Sequence, residues 1–148
     1  SISQANLDLD SEEEKKEIEE KTAENKDMLT AMKDALADKV KEVRISSRLI
    51  DDPVCIVADE GVSLDMERYM ANDPMNKDRA ITATKILEIN PNHPIFNKLR
   101  EVSTSSPDKL KEYTDVLYDQ ALLIEGLPIK NPVEFAKKIT NLIVDAKN

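Results

Sequence analysis

The chain has 148 residues, enough for one domain with a real buried core. Lys and Arg number 21 against 30 Asp and Glu, a net charge of −9 that argues against a nucleic-acid partner. With aromatic residues at only 3% and no Trp, no stacking platform for bases is expected either. The single cysteine, Cys55, excludes an intramolecular disulfide and suits a reducing cytoplasm, and no apolar run is long enough to cross a membrane.

Residues 1–10, "SISQANLDLD", carry no sustained period and read as a linker entering a domain that spans 11–148. The chain opens on Ser with no leader pattern, so we expect a piece of a longer, cytoplasmic protein. Ser11 is placed to cap a helix whose first turn is acidic, as the helix dipole favours. That helix is solvated at first, docks through Met28, Leu29, Met32, Ala35 and Leu36, and is expected to end near Asp38.

From Val40 the period changes. "VKEVRISSRL" alternates Val43 and Ile45 against Arg44 and Ser46, the pattern of a half-buried strand. Asp51, Asp52 and Pro53 turn the chain into "VCIVA", a second and more buried strand, and a hairpin between the two is the simplest arrangement. The next stretch, "VSLDMERYMANDP", is helical in period. Val62, Met66, Tyr69 and Met70 share about one-third of the circumference and Pro74 limits the helix. Such a stripe is either a core face or a surface for something outside the domain.

"TKILEIN" is a third strand, broken by "NPNHP", and Asn92 is placed to cap a short helix holding Ile95, Phe96 and Leu99. Ser106 caps the next helix, with Pro107 at its first position and Gly126 stopping it near Glu125. The last opens on "NPVE", with Asn131 as cap, Pro132 at the first position and Glu134 placed to close a capping box. The short loop "GLPIK" makes these two an antiparallel hairpin.

Both hairpin helices carry more apolar surface than one core needs. Phe135, Ala136, Ile139, Leu142, Ile143 and Ala146 cover roughly 120° of the last helix, and Val133 and Val144 widen the arc to about 200°. On the preceding helix Leu110, Tyr113, Val116, Leu117, Ala121, Leu123 and Ile124 share one broad side, with Tyr118 and Leu122 outside it. Two such hairpins paired about a two-fold axis make a four-helix bundle. The fold class is therefore α+β: a small three-stranded, mostly antiparallel sheet packed with helices, ending in a hairpin that closes a dimer.

Residues that could carry chemistry are few. Cys55 lies in an apolar strand, where a cysteine acts as a small hydrophobe, and His93 is the only His, between prolines in a turn. Two glycines, Gly61 and Gly126, do not make a phosphate-cradling loop. Asp51, Asp52 and Asp59 flank a strand without forming a recognisable acid–base pair. No catalytic, cofactor or metal residue is assigned.

"VKEVRISSRLIDDPVCIV", "MERYM", "LEINPNHPI" and "LYDQALLIEGLPIKNPVEFAKKITNLI" occur in this order and together resemble the C-terminal domain of the ninety-kilodalton heat-shock chaperone family. The form is similar to the bacterial high-temperature protein G branch. The resemblance implies a constitutive homodimer through the last two helices, with Leu110, Tyr113, Leu117, Ala121, Ile124, Phe135, Ile139, Leu142, Ile143 and Ala146 at the interface. It implies contact with unfolded or partly folded client proteins through Val62, Met66, Tyr69 and Met70, flexible thioethers suiting varied apolar partners. Val62 stands where eukaryotic relatives carry Trp. ATP and magnesium would be bound by an N-terminal domain outside this chain, leaving the chain itself without enzymatic activity. No nucleic acid or membrane partner is expected, nor tetratricopeptide docking through an acidic tail, since the chain ends "VDAKN". The alternative is an adaptor or co-chaperone module with a Met-lined peptide surface and no obligate dimer.

Overall fold

A computed structural model describes residues 4–47, 51–75 and 81–146, with side chains from residue 12 onward. The order is α1 (Gln4–Glu24), α2 (Lys26–Leu36), a short 3-10 turn (Ala37–Lys39), β1 (Glu42–Ile45), β2 (Val54–Ala58), α3 (Leu64–Asn72), β3 (Lys85–Ile89), α4 (Pro94–Ser105), α5 (Pro107–Ile124) and α6 (Pro132–Asp145).

Two expectations for the N-terminal region change. The helix already runs from Gln4, so Ser11 is not its cap, and most of the stretch read as a linker is helical. The expected single helix is also two. Asn25, buried and with non-helical angles, separates α1 from α2 while its side-chain amide donates to Lys21 O at 2.8 Å. Beyond that break α2 buries Met28, Leu29, Met32 and Leu36. The expected extension of the first strand to Leu49 passes out of the described residues at 48–50.

The sheet has the order β1-β3-β2, which corrects the hairpin expectation: β1 and β2 never pair. β3 lies between them, parallel to β1 with Arg44 opposite Glu88, and antiparallel to β2 with Cys55 opposite Glu88. One pairing of two is antiparallel, so the sheet is mixed. The physical reason is burial: all five β3 residues are buried, which an edge strand does not allow. Asn90, fully buried, ties the turn to the end of β3. Its side chain donates to Asp52 O at 3.0 Å, and its backbone N–H to Pro53 O at 2.9 Å.

One sheet face supplies Val43, Ile45, Val54, Ile56, Leu87 and Ile89 to a core completed by α2, α4 and α5. On the other, Glu88 accepts from Arg44 Nε at 2.8 Å and from the Cys55 thiol at 3.7 Å, so Cys55 is half-buried in a polar row. The α4 helix is longer than expected, and His93 rather than Asn92 is its cap, Nδ1 accepting from Ile95 N at 3.0 Å. The caps of α5 and α6 follow the sequence: Ser106 Oγ accepts from Lys109 N, and Asn131 Oδ1 from Glu134 N.

Candidate functional surfaces

Among the described residues no His, Cys, Asp or Glu cluster could hold a metal ion, and no helix is long and apolar enough to cross a membrane. What the fold presents instead are two exposed apolar faces, one on the hairpin and one on α3.

The hairpin begins with the end of α5. Gly126 adopts φ +74, Gly126 N donates to Leu123 O, and Leu127 N reaches back to Leu122 O at 2.9 Å, a Schellman closure. The buried Leu127 side chain fixes the exit toward α6. α5 is held firmly: Leu110, Thr114, Leu117, Tyr118, Ala121 and Leu122 are all buried. Tyr118 and Leu122, expected outside the apolar side, are therefore core, while Leu123 and Ile124 are exposed. Burial raises the Tyr118 phenol to about 12, with the nearby Glu67 charge acting in the same direction.

α6 is different, because none of its residues is buried. Its half-buried Ile139 and Leu142 share a groove with Tyr113, Val116 and Leu117 of α5, Phe135 is half-buried as well, and Lys138 Nζ reaches Asp115 Oδ2 at 3.1 Å. Its next apolar flank faces outward: Val133 is 64% exposed, Ile143 70% and Val144 75%. Between α4, α5 and α6 runs a groove of about 670 Å³, whose walls include Ile95, Tyr113, Val116, Leu117, Ile139 and Leu142.

The ten residues expected at an interface thus fall into three groups. Leu110, Leu117 and Ala121 lie in the chain's own core. Tyr113, Phe135, Ile139 and Leu142 are half-buried. Ile124, Ile143 and Ala146 stand in solvent. Leu123, Val133 and Val144 belong with the last group; the sequence set all three on the broad apolar arcs of these helices without assigning them to the interface.

α3 is docked by its polar side. Glu67, off the Met66–Tyr69 apolar stripe, is buried: its carboxylate takes Lys85 Nζ at 2.7 Å and the Ala83 N–H. Arg68 Nε donates to Glu125 O at 2.6 Å, satisfying a carbonyl that the end of α5 leaves open. A Cβ on Gly126 would stand 3.2 Å from that Nε, so the glycine also makes room for the contact. Ser63 caps α3, its Oγ accepting from Met66 N at 3.0 Å, and Leu64 packs on the core. Val62 precedes the helix and is half-buried, as is Met70. Opposite the docked side, Met66 is 51% and Tyr69 67% exposed.

Comparison with known proteins gives these faces a context. The Hsp90 protein family matches residues 1–147. The chain belongs to the Hsp90 family. Chaperone protein HtpG of Bacillus subtilis is 45% identical over 144 residues, covering 97% of this Hsp90-family chain and 23% of the relative. HtpG of Clostridium acetobutylicum is 47% identical over 139 residues, 94% of this chain and 22% of the relative. HtpG of Bacillus velezensis is 46% identical over 144 residues, again covering 97% and 23%. The chain therefore spans about a quarter of the length of these HtpG proteins.

Proposed function

We propose that this chain is the dimerisation and client-contact module of an HtpG-type molecular chaperone that works in the cytoplasm. Two copies join through α5 and α6 in a four-helix bundle, and α3 offers Met66 and Tyr69, flanked by Met70 and Val62, to unfolded or partly folded proteins. ATP and magnesium act in other parts of the longer protein, and this module contributes no catalytic step.

The observation that carries this reading is α6. An isolated helix of this length is marginal in water, and here none of its residues is buried although its sequence is strongly apolar. A second hairpin laid over Val133, Ile143, Val144, Leu123 and Ile124 would cover side chains that are each at least half exposed. Each such burial contributes about 1–2 kcal/mol.

Sedimentation equilibrium on the wild-type chain and Ile143→Asp tests it. A two-fold bundle meets the substitution twice, so the dimer should weaken roughly a hundredfold. The monomer fold should be retained, because Ile143 is 70% exposed. A wild-type chain that stays monomeric at high concentration would leave the Met-lined adaptor as the better reading.

A further inference from the structure

Two polar contacts hold α3 to the rest of the chain. Glu67 ties it to β3 through Lys85, whose ammonium lies 2.7 Å from the Glu67 carboxylate. Arg68 ties it to the end of α5. Its Nε donates to the Glu125 backbone carbonyl at 2.6 Å, and Nη2 lies 3.5 Å from the Glu125 carboxylate. Glu125 is the last residue of α5 to reach back into that helix through Ala121 O. It follows Leu123 and Ile124, both more than half exposed, and precedes Gly126, where a Cβ would stand 3.2 Å from Arg68 Nε. One guanidinium thus joins the helix that presents Met66 and Tyr69 to the turn that leads into α6.

Neither side of this contact is rigid on its own. A nine-residue helix is marginal in water, so α3 keeps its form only while docked. The last turn of α5 is where a helix frays, and its Leu123 and Ile124 side chains lie uncovered. We infer that Arg68 couples the two exposed faces of the domain. A second hairpin laid over Leu123 and Ile124 holds Glu125 in place, and a fixed Glu125 keeps α3 docked with Met66 and Tyr69 presented. By linkage the effect is reciprocal, so a polypeptide bound on α3 tightens the dimer by the same factor. Arg68 is a positioning residue in this scheme, acting through Glu125. The coupling rests on the dimer and client-contact readings above and deepens them.

The test is a double-mutant cycle read by calorimetry. A short peptide with one Phe-Leu centre and Gln flanks is titrated into the wild-type chain, Ile143→Asp, Arg68→Met and the two substitutions combined. The protein concentration is one at which sedimentation finds the Ile143→Asp chains monomeric and the other two dimeric. Wild type should bind about fivefold tighter per site than Ile143→Asp. With Arg68→Met in both chains that ratio should fall to about one, and taking the ratio cancels any direct effect of Arg68 on the peptide. Arg68→Lys keeps the charge without the two-pronged donor, so it should leave an intermediate ratio. It replaces Arg68→Met if that chain does not fold. Equal binding by wild type and Ile143→Asp, or a ratio unchanged once the guanidinium is gone, would overturn the coupling while both surfaces stand. A monomeric wild type, or a peptide that never binds, would refute the functional reading and the coupling with it.

Discussion

Lys85→Met isolates what anchors α3. Lys85 and Glu67 are side by side at 2.7 Å with side chains 8% and 11% exposed, so the pair is nearly dehydrated. Removing the ammonium leaves a buried carboxylate whose remaining partner is the Ala83 N–H. Breaking such a pair from one side costs about 3–5 kcal/mol when the orphaned charge cannot escape. Here an escape exists: α3 lies in the connection between β2 and β3 and can peel away, exposing Glu67 to water and limiting the loss. We expect about 3 kcal/mol in urea unfolding at fixed protein concentration, with hydrogen exchange accelerated first in α3. Glu67→Met on top of Lys85→Met removes the stranded charge and should return stability to within about 1 kcal/mol of the parent. A single substitution costing under about 1 kcal/mol, or a double as unstable as the single, would refute the account of α3 as a helix docked by a dehydrated ion pair.

Two further outcomes follow from the helix termini and the core. Asn131→Ala removes the α6 cap, whose Oδ1 accepts from Glu134 N at 3.1 Å. With no buried residue to hold α6, the loss of about 1 kcal/mol should fall on hairpin formation, and sedimentation should show a weaker dimer with the α5 core intact. For Tyr118, the folded pKa of about 12 lies above its ordinary value near 10. The unfolded chain therefore loses the proton first, and stability is unaffected below pH 10 and falls between about 10 and 12. Tyr118→Phe should flatten that limb of an alkaline unfolding profile.

What the sequence disclosed and what it withheld divide along one line. Local chemistry was legible: the Ser106 and Asn131 caps, Pro107 and Pro132 at first helical positions, the Gly126 stop and the "VCIVA" strand all stand where the residues place them. Partners distant in the chain were not. "KILEI" contains Lys85 and Glu88, charges that mask a central strand, because Glu67 and Arg44 neutralise them only once the fold has assembled. Glu67 likewise lies off the apolar stripe of α3 and is nonetheless its buried residue. A helical wheel scores a carboxylate as solvated unless its cation is known, and here the cation lies eighteen residues further on. Asp51-Asp52-Pro53 correctly marked a reversal, but a reversal does not say which strand will lie alongside. On the hairpin, the wheel found the surplus apolar arc of α6 and could not tell that Tyr118 and Leu122 of α5 face the core, since packing from β2 and α2 decides that.

The β1-β3-β2 order also has a consequence for how the chain acquires its structure. β1 and β2 emerge from synthesis first, yet neither has its neighbour until β3 follows, and the Arg44–Glu88 contact closes a span of 44 residues. Closing that span carries an entropic cost that helices α1 and α2, formed from near neighbours, do not share. The sheet is thus expected to close after the helices and to be the slower step. Until it closes, β1 and β2 each expose an unpaired edge of a kind prone to wrong pairing.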